Sequence, residues 1–275
     1  MKLRWVLVAG VAVAVVLATT VLRDRLPNRG EFCTATVGPT TARVDLEQAR
    51  WAALMAATAQ NRGLPPRATT IAIATAFQES KLRNIDFGDR DSLGLFQQRP
   101  SQGWGTAEQV QDPAYAIGAF YDGLVEVEGY EDMEITNAAQ EVQRSAFPQA
   151  YAQHETSSRA LASALRGYSP EAFTCQVNPL GGGTVEAIVD DVDGAFGRIE
   201  RREDADAVRY AVTGRDADDV RARGWALAHY LVANAARLEI VSVEFAGRRW
   251  SAVDSPDGWV EAPSAADDVV TAAVV

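Results

Sequence analysis

Residues 66–80 read PRATTIAIATAFQES, and from residue 71 to residue 77 no position carries a charge. A helix that is apolar nearly all round lies in the middle of a domain, and Pro66 suits its first turn. The stretch therefore predicts a buried helix over residues 66–82. It ends in Gln78-Glu79-Ser80, which places one carboxyl where the helix leaves the core. A carboxyl half in the core and half in a cleft has its charged form disfavoured by desolvation, so its pKa rises and it can donate a proton near neutral pH. Cleavage of a glycosidic bond needs such an acid, because the leaving oxygen must be protonated as the oxocarbenium-like state develops. The plainer alternative is that Glu79 faces solvent where the helix emerges.

Upstream, Asp45 reads as the N-cap of a helix that Gly63 closes. Downstream, residues 83–105 are turn-rich and predict loop with a little strand. Within them Gly94-Leu95-Phe96-Gln97-Gln98 combines a glycine for close backbone approach, two apolar side chains for a floor, and two amides that can bond sugar hydroxyls. Helices resume over about 113–128, 136–145 and 150–165. NPLGGGT (178–184) is a linker. Beyond it the pattern changes to a helix over 185–196, a strand over 207–212, a helix over 216–236 and three further strands up to residue 262. The last residues, 263–275, read as a frayed tail.

The formal net charge is −11, and residues 180–275, with 18 acidic and 10 basic side chains, account for −8 of it. That excludes nucleic acid as a partner, since phosphate neutralisation needs clustered Lys and Arg. Hydrophobic residues make up 47% of the chain, enough for a real core. At the N-terminus, residues 5–22 (WVLVAGVAVAVVLATTVL) run 18 positions without a charge. At 1.5 Å per residue this is about 27 Å, enough to cross a bilayer core. The segment 1–25 reads as an uncleaved signal anchor, with a cleaved signal peptide and a secreted product as the alternative. Residues 26–44, with Pro27, Gly30, Gly38 and Pro39, read as a linker between membrane and domain.

Cys33 and Cys175 are the two cysteines, and both stand in polar, turn-rich surroundings that bracket the helical region. The placement predicts a disulfide between them, hence an oxidising, extracytoplasmic compartment. The two histidines, His154 and His229, fall in different domains, so neither a metal site nor a nucleophilic triad is expected, and no cofactor is called for.

Glu79-Ser80, then a polar loop, then Gly94-Leu95-Phe96-Gln97 resembles the Glu-Ser … Gly-Leu-Met-Gln signature of lytic transglycosylases and goose-type lysozyme-like domains. Two further stretches resemble family elements. One is Asp112-Pro113-Ala114-Tyr115-Ala116-Ile117-Gly118-Ala119-Phe120-Tyr121. The other is Gln140-Glu141-Val142-Gln143-Arg144-Ser145-Ala146-Phe147-Pro148-Gln149-Ala150-Tyr151, similar to a variant of actinobacterial and phage-associated relatives. The resemblance spans residues 45–175. It implies that Glu79 is the single acid/base, protonating the oxygen between N-acetylmuramic acid and N-acetylglucosamine. It further implies that Gln97 holds sugar and that Tyr151 bonds near Glu79. Ser80, Phe96, Gln98 and Trp104 complete the candidate substrate-binding set, Trp104 being as readily a loop plug. Phe96 stands where the signature has Met, and Lys81-Leu82-Arg83-Asn84 where the family carries Asn-Pro. The acidic loop leaves open a second carboxylate, Asp89 or Asp91, acting as base on water in a hydrolase.

The expected fold is a mainly α lysozyme-like domain over 45–177, followed by a small α+β domain over 185–262, with an N-terminal transmembrane helix. The expected activity is cleavage of peptidoglycan glycan strands at a bacterial membrane. The alternative is a non-catalytic wall-binding or scaffold protein that keeps the cleft. The C-terminal domain's residues name no chemistry, and a cell-envelope protein is its open candidate partner.

Overall fold

A computed structural model describes residues 30–144, 149–178 and 181–275. Cys33 and Cys175 form a disulfide across directly opposed positions of two antiparallel strands, β1 (Phe32–Val37) and β3 (Phe173–Gln176). The second partner of β1 is β2 (Thr40–Val44), so the sheet runs β2-β1-β3. Cys33 and Ala35 point inward and Thr34 and Thr36 outward, the period-two alternation of a half-buried strand. Gly38 sits at φ +56°, the left-handed region that glycine enters without strain, and turns β1 into β2. Glycine and proline expected to mark a linker over 26–44 instead make a hairpin turn.

Asp45 caps α1 (Leu46–Asn61) with a full capping box: its carboxylate accepts from the Gln48 N–H and the Gln48 side chain accepts from the Asp45 N–H. The predicted central helix is α2 (Pro66–Ser80), with Ile71–Ala76 fully sequestered. A short α3 (Ala107–Gln111) leads into α4 (Pro113–Val125), which Asp112 caps by accepting from the Tyr115 N–H. Then come α5 (Ile135–Gln143) and α6 (Glu155–Leu165). Helices α1, α4, α5 and α6 all pack on α2, and the β1–β2 hairpin covers α6.

After α7 (Val185–Phe196), strands β4 (Arg201–Glu203), β5 (Ala207–Ala211), β6 (Ser242–Phe245), β7 (Arg248–Ser251), β8 (Val260–Glu261) and β9 (Val269–Ala273) form one antiparallel sheet ordered β4-β5-β9-β6-β7-β8. Helix α8 (Ala217–Ala233) lies against it, buried without interruption from Gly224 to Ala233, and a short α9 (Ala235–Leu238) follows. Gly224 has no alternative, because an added Cβ would sit 2.0 Å from the Phe245 ring. Trp225 and Trp250 are fully buried core. Trp250 donates its indole N–H to the Cys175 carbonyl and Trp259 donates to that of Phe173, stitching this sheet to β3.

Two expectations require correction. Over its described residues the chain is mixed α/β, not mainly α. Among the described residues nine α-helices accompany two antiparallel sheets of nine strands. The first of those sheets is built from residues read as linker and as domain edge. No described helix is long and apolar enough to cross a membrane, and the apolar segment 5–22 lies outside the described residues. The expected frayed tail is the second departure. Val269–Ala273 pairs with β5 on one side and β6 on the other, so it is a central strand. Its alternating Val270 and Ala272 are fully buried.

Candidate active site

Helix α2 ends abruptly. Lys81 and Leu82 both adopt left-handed backbone (φ +57° and +58°), the Leu82 N–H closing back on the Ala76 carbonyl and the Lys81 N–H on that of Phe77. The reversal buries Leu82 and leaves Glu79 in the last helical turn, partly exposed. Ser80, one residue on, points inward. Its hydroxyl lies 2.8 Å from the Leu95 carbonyl and accepts from the Arg83 N–H. Ser80 thus clamps the loop to the helix, and the substrate-binding role expected of it has no exposed surface to act through.

The loop from Arg83 to Gly105 is fastened at several points. Arg83 pairs with Asp45 and with Glu47, and the Asn84 amide donates to the Gln111 carbonyl. Gly94, at φ +75°, donates its N–H to the Ile85 carbonyl, and an added Cβ there would meet the Val110 carbonyl oxygen at 2.3 Å. Leu95 and Phe96 are fully buried, and Phe96 stacks on Phe120 with ring centroids 4.4 Å apart. The apolar floor is therefore a fully buried core layer. Gln98 is buried with its amide donating to the Ala116 carbonyl, which removes it too from the substrate-facing set. Trp104 is half-buried against the core near Gly123. Gln97 alone of the two amides reaches the surface, bonding the Phe87 and Gly94 carbonyls.

Tyr151 is brought to Glu79 from 72 residues away, its hydroxyl donating to Glu79 Oε1 at 2.6 Å. The short 3-10 turn at Ala152–His154 packs on the end of α2 to achieve this. The His154 ring stacks on Phe77 at 5.6 Å, and the Gln153 amide donates to Gln78 Oε1. Gln143, the last residue of α5, donates its amide to the Phe96 carbonyl at 2.7 Å and lies near enough to the Glu79 carboxyl to lower its pKa. Gln143 stood in the stretch quoted for the resemblance but was not singled out, since nothing in a glutamine at a helix end marks it as inward-facing.

Burial raises the Glu79 pKa above the ordinary carboxylate value, with Tyr151 and Gln143 pulling in the opposite direction. Of the candidate second carboxylates, Asp91 has the opposite character. Asp91 accepts from the Ser101 N–H at 2.7 Å, from Arg99 Nε and from the Ser101 hydroxyl, which hold it well below the usual carboxylate range. A carboxylate so committed is a poor base. Asp89 is almost wholly exposed, with Arg90 3.8 Å away.

No protein-family model matches the chain, and no curated protein matches its sequence. The functional reading therefore rests on the geometry of the site.

Proposed function

We propose that this chain cleaves the glycan strand of peptidoglycan between N-acetylmuramic acid and N-acetylglucosamine, with Glu79 as its general acid. The single observation that carries the reading is Glu79 itself: a carboxyl at the end of a sequestered helix, raised in pKa by burial, and fixed in direction by Tyr151 with Gln143 nearby. Such a group is biased toward its protonated form and aimed. It gives its proton to the glycosidic oxygen as the C1–O bond breaks, and the resulting carboxylate is steadied by the same two residues. The muramoyl C6 hydroxyl then attacks C1 and returns its proton to Glu79, leaving a 1,6-anhydro end. Attack by water in its place leaves a reducing end. The prior engagement of Asp91 with Ser101 and Arg99 favours the one-carboxylate route. Substrate contact falls to Gln97 and to the exposed edge of the loop.

The Cys33–Cys175 disulfide supports a body held outside the cytoplasm, where peptidoglycan lies. A wall-binding protein without turnover is the second reading. It draws on the fact that Tyr151 and Gln143 both favour the charged form of Glu79. Incubation with purified peptidoglycan, followed by mass analysis of the soluble products, separates the two. Anhydro-muropeptides are the expected result, reducing ends alone assign a hydrolase, and no released product supports the binding protein.

A further inference from the structure

Phe87 is 69% exposed, the most exposed aromatic side chain among the described residues. A single apolar side chain on a surface is ordinary. The way this one is held is not. The Phe87 carbonyl accepts from Gln97 Nε2 at 3.2 Å, and Gln97 adopts a left-handed backbone (φ +49°) that few non-glycine residues occupy. Gly88, next in the chain, lies so close over the Gln97 amide that an added Cβ would stand 2.0 Å from Gln97 Oε1. The chain at 87–88 is thus seated directly on Gln97, and its attachment continues inward. Gln97 follows Phe96, whose carbonyl accepts from the Gln143 amide, and Gln143 lies near enough to Glu79 to lower its pKa. Two hydrogen bonds and one peptide step therefore join the backbone of the exposed aromatic to Gln143, beside the candidate acid. The same loop exposes Asp86, Asp89 and Arg90 within three residues of Phe87 in sequence. An aromatic face with polar groups at its edge matches a pyranose ring, which presents C–H bonds on one face and hydroxyls around its rim.

We propose that Phe87 is a stacking platform for a sugar ring of the glycan strand, set at a fixed place relative to Glu79 by Gln97 and Gly88. The assignment rests on the peptidoglycan reading above and adds the residue that determines how the strand lies. The test uses the full chain in two backgrounds, with purified insoluble peptidoglycan as the probe. In the Glu79→Gln background, where turnover is blocked, Phe87→Ala should weaken co-sedimentation about tenfold, the size of one lost aromatic contact. Phe87→Trp should restore it and Phe87→Leu, apolar without a π face, should not. With Glu79 intact, Phe87→Ala should raise KM more than it lowers kcat. Its melting temperature should stay at the parent's, because the ring has little to lose on unfolding. If Phe87→Ala binds like the parent while Glu79→Gln abolishes turnover, the platform is wrong and the enzymatic reading stands. If Leu matches Trp, simple apolar contact replaces stacking and the proposal falls. If the parent neither binds nor cleaves peptidoglycan, the proposal falls together with the reading beneath it.

Discussion

The Tyr151 hydroxyl donates to Glu79 Oε1 across 2.6 Å, and Gln143 stands near the same carboxyl and favours its charged form. Burial pushes the acid toward its neutral form while these two residues draw it back, so the operating pH of the site is set by their balance. Removing one donor should move that balance in a known direction.

Tyr151→Phe deletes the hydroxyl and keeps the ring, which is buried. The Glu79 pKa, already raised, should rise further. A general acid loses activity as pH climbs through its pKa, so the alkaline limb of the kcat/KM profile should shift to higher pH in the variant. The lost hydrogen bond should lower the plateau by roughly twofold to tenfold. A limb that moves toward acid would show that Tyr151 acts in some other way.

Ser80→Ala separates clamp from contact. It leaves the Leu95 carbonyl and the Arg83 N–H without their hydroxyl partner inside the protein. Denaturant unfolding should show a loss of about 1–3 kcal/mol, the range for an unsatisfied buried group. Peptidoglycan affinity per folded molecule should hold. Weakened binding with unchanged stability would return Ser80 to the substrate-facing set.

His229 offers a pH dependence unrelated to the site. It is fully buried on α8, its Nδ1 2.7 Å from the Ala164 carbonyl, among Phe173, Trp225 and Trp259, none of which titrates in the acid range. Burial lowers its pKa to about 4 from an ordinary 6.5. The unfolded chain therefore takes up this proton before the folded one. Its contribution is complete above pH 6.5 and is lost as pH falls toward 4, by at most about 3 kcal/mol. His229→Asn, which can still donate to Ala164, should be less stable at neutral pH but show a shallower fall in stability between pH 6.5 and 4. Parallel curves for variant and parent would refute the assignment.

The disulfide closes a separation of 142 residues. In the chain-entropy account such a closure destabilises the unfolded state by about 5 kcal/mol. Paired Cys33→Ala and Cys175→Ala substitutions should lower the unfolding free energy by about that amount, read as a lower denaturant midpoint, with peptidoglycan binding per folded molecule unchanged. An unchanged midpoint would mean that the two sheet edges hold without the bond.

Glu79 was legible because its signal is local: an uncharged helix that ends in a carboxylate says both where the core is and what leaves it. Cys33 and Cys175 were legible for a similar reason, standing alone in polar surroundings. The hairpin over residues 32–44 was not. Its inward residues, Cys33, Ala35 and Ala42, are small, so alternation is faint, and Gly38-Pro39 serves a turn and a linker equally well. Strand β9 hid behind short side chains at a terminus, where only its pairing with β5 and β6 reveals that it is central. In the 94–98 segment the residue types suggested a sugar floor, yet a loop has no period from which to tell inward from outward. Phe96 and Gln98 went in, Gln97 stayed out, and Phe87, which the same loop displays, drew no notice from sequence.

Glu79→Gln tests the central claim most directly. The substitution keeps the side chain's shape and its bond to Tyr151 within reach, and removes the proton that the leaving oxygen needs. On purified peptidoglycan, release of muropeptides should fall by 10²–10⁴-fold or about that order, with co-sedimentation on the same material retained. Wild-type rates of release from Glu79→Gln would contradict the account, because the site would then be cleaving glycan without the acid on which every part of it is built.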